Sequence, residues 1–133
     1  MEVEISAGMH DLLSDNRRAF AILATMMKDG TPQATPVWFD VEDGLIRVNT
    51  ARGRVKERNM QERPEVALTI IDPDNWYRYL QIRGTVVEVT EEGARDHIDH
   101  LAGKYTGTPE YRGPVTSPRV IFKIRPSAVF SNA

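Results

Sequence analysis

Arg54, Lys56 and Asn59 stand at the start of a predicted helix, just after a strand that ends in Thr50. A strand end, a turn at Gly53 and a helix start bring backbone N–H groups, a guanidinium and an ammonium near one point. Such a point attracts phosphate. Arginine adds a forked grip on phosphate oxygens, and lysine adds a compact charge. Asn59, one turn further on, could hydrogen-bond a ligand or cap a neighbouring strand. The alternative is a solvated helix face on which Glu57 and Glu62 pair with Lys56 and Arg58 at little net gain.

Two aromatic segments could serve the same site. In Thr35-Pro36-Val37-Trp38-Phe39, a proline inside a strand implies an edge or a bulge, where backbone is free to meet a ligand. Trp38 offers a flat apolar surface, either to a ring or merely as a cap on the fold. Trp76-Tyr77-Arg78-Tyr79 could wall a planar cofactor or fill a contact between subunits, where such residues are enriched.

The remaining polar residues point away from acid–base or nucleophilic chemistry. His97 and His100 sit three apart on a later helix, a spacing that can bind metal. A third ligand at sensible spacing is missing, and the pattern reads as a solvated outer face. No metal site is expected. The chain has no cysteine, so disulfides, thiolate sites and cysteine nucleophiles are excluded. A missing acid–base apparatus fits a cofactor that carries its own chemistry and asks the protein for binding, orientation and dry surroundings.

The elements that must position these residues follow from turns and periodicity. Met9 to Arg17 reads as a short amphipathic helix with Met9, Leu12 and Leu13 on one side. Phe20–Met27, Gln33–Val41 and Leu45–Thr50 read as three strands joined by Asp29-Gly30 and Asp43-Gly44 turns, an antiparallel meander. A helix over Arg54–Glu62 stops at Arg63-Pro64. Val66–Ile71 and Trp76–Val89 follow as strands, with Gly84 marking a bend. A helix capped by Thr90 runs to about Lys104. The loop from Tyr105 to Pro118 is long enough to bind something, and Arg119–Ile124 with Ala128–Phe130 is the last strand. Long bent antiparallel strands with few helices favour a closed, mainly β barrel.

Composition sets limits. The 133 residues fit one domain over 1–133, and 17 basic against 19 acidic side chains give no reason to expect nucleic acid or an anionic membrane. The segment Met1–His10 lacks the features of a secretory signal, and no stretch has the ~20 apolar residues of a membrane span. A cytoplasmic location is the expectation.

With these residues in hand, the chain resembles the pyridoxamine 5′-phosphate oxidase-like split β-barrel superfamily, of FMN-binding type. It is most similar to the F420-dependent PPOX-class branch. The resemblance covers nearly the whole chain. It rests on Asp29-Gly30-Thr31-Pro32-Gln33, Thr35 to Phe39, Arg54 to Met60 and Asp72-Pro73-Asp74. Tyr79, Arg83-Gly84-Thr85, Tyr105-Thr106-Gly107, Arg119-Val120 and Ile124-Arg125-Pro126 continue it. It implies a homodimer with cofactor sites at the subunit interface. It also implies an oxidoreductase that passes a hydride between reduced coenzyme F420 and a conjugated organic small molecule. Arg54, Lys56 and Asn59 would hold the cofactor phosphate, and Thr50 with the Pro36-Val37-Trp38 backbone would line its rings. Trp76 and Tyr79 would shape the mouth, and the loop around Tyr105 and Tyr111 would close over substrate. FMN-binding members usually carry an adjacent Arg-Lys pair; here Val55 intervenes, as in the F420 branch. Arg52, Arg58 and Arg78 are candidates for the anionic tail of F420. FMN is the alternative cofactor, and a non-catalytic binding protein the alternative role.

Overall fold

Trp38 alone separates two strands that end up at opposite edges of one sheet. The computed structural model describes residues 3–133. Its strands are β1 (Phe20–Met26), β2 (Pro32–Val37), β3 (Phe39–Glu42), β4 (Leu45–Ala51), β5 (Glu65–Asp72), β6 (Asn75–Thr90) and β7 (Arg119–Asn132). Two helices interrupt them, α1 (Val55–Glu62) and α2 (Ala94–Thr106), and a 3-10 helix over Ala7–Leu13 precedes them. The order across the sheet is β2-β1-β5-β6-β7-β4-β3. Every neighbouring pair is antiparallel. Because β2 and β3 are joined through a single residue, the sheet must curl until its two edges meet, which gives the split barrel. Curling also hides edges that would otherwise invite pairing with another chain.

The predicted meander is therefore two separate hairpins, β1–β2 and β3–β4, which part at Trp38. Strand β2 has a sheet neighbour on one side only. That is where Pro32 and Pro36, which have no N–H to donate, are tolerated. The Asp43-Gly44 turn has both residues at positive φ, as a two-residue hairpin loop requires.

Alternation fixes which face is the core. In β5, Val66, Leu68 and Ile70 are buried, while Ala67, Thr69 and Ile71 lie on the outer face. In β1, Ala21, Leu23 and Thr25 point inward. Phe39, Ile46, Val48, Met60, Leu80, Ile82, Phe122 and Ile124 complete the interior. Helix α2 lies on the other face of the β3–β4–β7 region, as its hydrogen bonds below show.

Three local expectations need correction. The first helix is 3-10 and ends at Leu13, before the predicted Arg17, because the Ser14 hydroxyl accepts the Asn16 N–H at 3.1 Å and diverts the backbone. Thr90 does not cap α2; its hydroxyl accepts the Glu92 N–H at 3.0 Å, and Gly93 occupies the cap. The last strand does not break at Pro126, which lies opposite Gly84 where the β6–β7 register shifts.

That shift explains Gly84. A Cβ there would lie 2.7 Å from the Arg125 carbonyl oxygen and 2.8 Å from Ile124 Cγ2. Backbone cannot yield as a side-chain tip can. Gly84→Ala is expected to destabilise the fold by about 1–3 kcal/mol, read as a lower denaturant midpoint at unchanged slope. An unchanged midpoint would show that the bulge absorbs the methyl group.

Candidate functional site

The chain leaves β4 at Ala51, turns through Arg52 and Gly53, and enters α1 with Arg54 at the cap position. Arg54 makes no side-chain cap bond, so it leaves the first N–H groups of the helix to other partners. Glu57, buried on the inner side, reaches back instead and accepts the Gly53 N–H at 2.9 Å. Arg52 pairs with Glu91 at 2.8 Å and approaches Glu57 at 3.7 Å. Glu62 pairs with Arg63. The local acids are thus engaged elsewhere, not with Lys56 or Arg58, while Arg54 and Arg58 stand exposed on the helix. Among the described residues, Arg54, Lys56 and Arg58 have no carboxylate within ion-pair distance.

Lys56 is half-buried and its Nζ donates to Thr35 Oγ1 on β2 at 3.0 Å. Burial foremost, then the charges of Arg54 and Arg119, push its pKa below the ordinary lysine value. Asn59 is buried and already engaged. Its amide donates to Thr25 Oγ1 at 3.0 Å and reaches Met27 S at 3.3 Å, while its oxygen accepts from Arg63 at 3.2 Å. In this arrangement Asn59 ties α1 to β1.

Arg119, expected only as the start of the last strand, joins this group. It opens β7 directly opposite Ala51, so the last strand delivers a third cation to the start of α1. It is 7% exposed, and its Nε donates to Asn49 Oδ1 at 2.8 Å. Its Nη1 is buried and has no partner among the described residues. No sequence spacing could place it there, since only the β4–β7 register does. The signal available was a basic residue directly after a Gly/Pro-rich loop.

The aromatic groups divide. Trp38 stacks on Tyr105 with centroids 5.5 Å apart and planes 5° from parallel. Tyr111 meets Trp38 edge-on at 6.2 Å and also covers the Arg119 guanidinium at 5.2 Å. The Trp38 ring is thereby joined to the cation group through the 107–118 loop. Tyr105 itself belongs to α2, and its hydroxyl donates to the Ala19 carbonyl at 2.7 Å, so it is an anchored wall. Pro36 is exposed at the sheet edge, and Val37 is half-buried. Thr50 is buried, with Oγ1 unpartnered on the inner side of β4.

Trp76 and Tyr79 are not brought to this group within one chain. Trp76, 70% exposed, packs edge-on against Phe20, and Tyr79 leans on Phe130. Phe20 and Tyr79 alternate with the buried Ala21 and Leu80, so both belong to the outer face of the sheet. Lys56, bonded to the inward Thr35, is on the inner side. Arg78 is bound by Asp11 and Asp72, which leaves Arg58 as the unpaired member of the three tail candidates.

His97 corrects the sequence reading: it is 4% exposed, and a polar outer face does not describe it. Its Nε2 lies 2.9 Å from Asp40 Oδ1, while His100 pairs with Asp15 at 3.0 Å. Asp40, Asp15 and His100 point ligand-type atoms at one another. Both Asp40 oxygens, however, accept from Arg47, at 2.9 and 2.6 Å. A cleft of about 800 Å³ between the 3-10 helix and the β3–β4 hairpin is lined by none of the candidate residues.

Comparison with known proteins identifies the fold and the family. The model of the pyridoxamine 5′-phosphate oxidase family matches residues 9–133. A solved structure described as an F420 reductase is 35% identical, covers 95% of this chain and 98% of its own, and superposes with a TM-score of 0.78. A conserved hypothetical protein from Mycobacterium tuberculosis is 24% identical over 98% of this chain and 86% of its own, with a TM-score of 0.73. HupZ of Group A Streptococcus is 20% identical over 98% of this chain and 99% of its own, at 0.66. The last two speak for the fold alone. The curled antiparallel sheet, with no helix among the described residues long and apolar enough to cross a membrane, and the family match over nearly all of its length place this chain in the pyridoxamine 5′-phosphate oxidase family.

Proposed function

We propose that this chain is a cytoplasmic F420-dependent oxidoreductase that works as a homodimer on a conjugated organic small molecule. One observation carries the reading. Arg54, Lys56 and Arg119 converge without a carboxylate among them, and Arg119 keeps a buried Nη1 donor with no acceptor. A buried donor left unmade costs about 1–3 kcal/mol, and three neighbouring cations repel. A phosphate relieves both, so the residues fit an anionic cofactor. F420 is favoured over FMN by the F420 reductase likeness and by Val55 between Arg54 and Lys56.

When bound, the deazaflavin supplies or accepts the hydride. The chain's own residues bind and orient it. Lys56, Arg54 and Arg119 hold the phosphate, and Asn59 fixes α1 beneath them. Trp38, braced by Tyr105, gives the rings a flat wall that excludes water, beside the Pro36-Val37 backbone and Thr50. Arg58 is free for the anionic tail. Titration calorimetry is expected to show micromolar or tighter F420 binding and weaker FMN binding. A protein that purifies yellow with bound FMN and ignores F420 would transfer the reading to an FMN oxidase. Turnover with quinones and enones separates an enzyme from a cofactor carrier: tight binding without oxidation of reduced F420 would make it a carrier.

The homodimer is supported by the outer face. Trp76 is 70% and Phe130 55% exposed there, beside a groove of about 310 Å³ lined by Ala67, Gln81, Arg83, Ala128 and Val129. Exposed aromatics in such a group mark an interaction surface. Trp76 and Tyr79 are not brought beside their own chain's cations, so a second copy is how they would shape a site mouth. Phe130→Arg is expected to give a monomer in sedimentation and to weaken F420 binding together with it. A Phe130→Arg dimer of unchanged affinity would remove this face from the assembly.

A further inference from the structure

A line of hydrogen bonds runs from the cation group to the underside of α2. Arg119 Nε donates to Asn49 Oδ1 at 2.8 Å. The Asn49 amide then donates to the Ala94 carbonyl at 2.9 Å and faces His97 Nδ1 at 3.1 Å. His97 Nε2 faces Asp40 Oδ1 at 2.9 Å, and Asp40 is gripped from its other side by Arg47. The charged groups around this line are Arg54 at the start of α1 and Arg95 on α2 near Arg119, and Glu42 on β3, Arg47 on β4, His100 and Lys104 on α2, and Asp15 before β1 near Asp40.

The donors and acceptors settle their own orientation. Arginine has no acceptor, and a carbonyl oxygen has no proton. Turning the Asn49 amide over would set donor against donor at Arg119 and acceptor against acceptor at Ala94. The amide is therefore fixed from two sides, and His97 Nδ1 must accept from it. The His97 proton sits on Nε2 and is donated to Asp40.

We propose that Asn49, His97 and Asp40 are positioning residues that aim Arg119 at the bound anion. The proposal rests on the anionic-cofactor reading above. Its argument is a contrast between two arginines on adjacent strands. Arg47 meets the carboxylate of Asp40, which neutralises it. Arg119 meets an amide, which orients a guanidinium and leaves its charge intact for something else. Its Nη1 is the buried donor still without a partner. The line behind Asn49 ends in a carboxylate that polarises each bond toward itself, so the carboxylate acts on Arg119 only through His97 and Asn49 and stays well removed from the anion.

The test uses the whole protein with F420, and FMN in parallel, as titrants. Two-bond nitrogen NMR near neutral pH is expected to show His97 as the Nε2-protonated neutral ring, with and without F420. Arg119→Lys, which keeps the charge and loses the fork, is expected to weaken F420 binding about tenfold or more. Asn49→Ala should weaken it severalfold and shift the Arg119 Nε–H resonance. His97→Phe should behave like Asn49→Ala. His97→Gln, which keeps an acceptor for Asn49 and a donor for Asp40, should restore binding to within about twofold. An Nδ1-protonated His97 in the wild type would overturn the positioning line even if the variants fail to fold. Wild-type affinity in Arg119→Lys alongside weakened binding in Lys56→Ala would overturn the role of Arg119 while sparing the cofactor reading. Wild-type affinity for both titrants in both variants would sink that reading itself.

Discussion

Lys56→Met is expected to weaken F420 binding by a factor of about 10 to 150 while leaving the empty protein at least as stable as the wild type. The first half follows from charge. A hydrogen bond to an ionised group contributes about 1.5–3 kcal/mol, and ~1.4 kcal/mol is tenfold in affinity. The second half follows from what Lys56 lacks. It donates to a neutral hydroxyl, Thr35 Oγ1. Burial, then Arg54, then Arg119 depress its pKa from the ordinary 10.5. A lysine whose folded pKa lies below its unfolded one costs stability wherever it is charged in both states. Between the lowered value and 10.5 the unfolded chain holds more protons, so stability rises with pH there. Methionine removes that cost and keeps the aliphatic packing, against a lost neutral hydrogen bond of about 0.5–1.5 kcal/mol. Calorimetry with F420 and thermal melts without it read the two halves. Undiminished affinity would take Lys56 out of the site, and a melting temperature lower by many degrees would make it a structural residue.

Such a position, costly to the fold in the absence of ligand, is what a binding site looks like in physical terms. The other buried or half-buried cations of this chain are compensated. Arg78 meets Asp11 and Asp72, Arg17 meets Asp72, Arg47 meets Asp40, and Lys104 donates to the Phe39 carbonyl at 2.9 Å over the Phe39 ring. Against that background the group at the start of α1 stands apart because its balancing charges are missing among the described residues.

The gathering of basic residues at the start of α1 was legible in the sequence for a local reason. A strand end, a glycine turn and a helix start all fall between Thr50 and Arg58, so spacing along the chain is close to spacing in space. Alternation likewise marked out the strands, because a half-buried strand writes its faces into every second residue. The arrival of Arg119 beside those basic residues was not legible. Its place depends on the pairing of β4 with β7, which sets it opposite Ala51 although half the chain lies between them. Nor was the break at Trp38: the apolar run from Val37 to Phe39 is the same whether β2 continues or hands over to β3. His97 misled because Asp96, Asp99 and His100 surround it with polarity. Burial of a histidine among charges is decided by the partner on β3, which helical periodicity does not contain.

That partner is the second place where a single substitution should have a large effect. Asp40→Ala is expected to destabilise the protein by about 3–5 kcal/mol, the range for a buried charge pair broken from one side. Asp40 is 2% exposed. Burial by itself would raise its pKa, but hydrogen bonds from His97 and Arg47, with the charge of Arg47, overcome that and hold it at about 2, against 3.8 ordinarily. A carboxylate held below its unfolded value stabilises fully above about pH 4, and this contribution is lost as pH falls through about 2. At ~1.36 kcal/mol for each tenfold, the gap amounts to roughly 2 kcal/mol at neutral pH. Asp40→Asn keeps the shape and discards the charge. Its stability should therefore trail the wild type most near neutral pH and draw closer to it as the solution is acidified from about pH 4 to about 2, the difference being read from urea midpoints across that range. A constant difference between the two proteins at every pH would mean that Asp40 serves through shape alone. A convergence would tie the acid sensitivity of the fold to the same carboxylate that anchors His97.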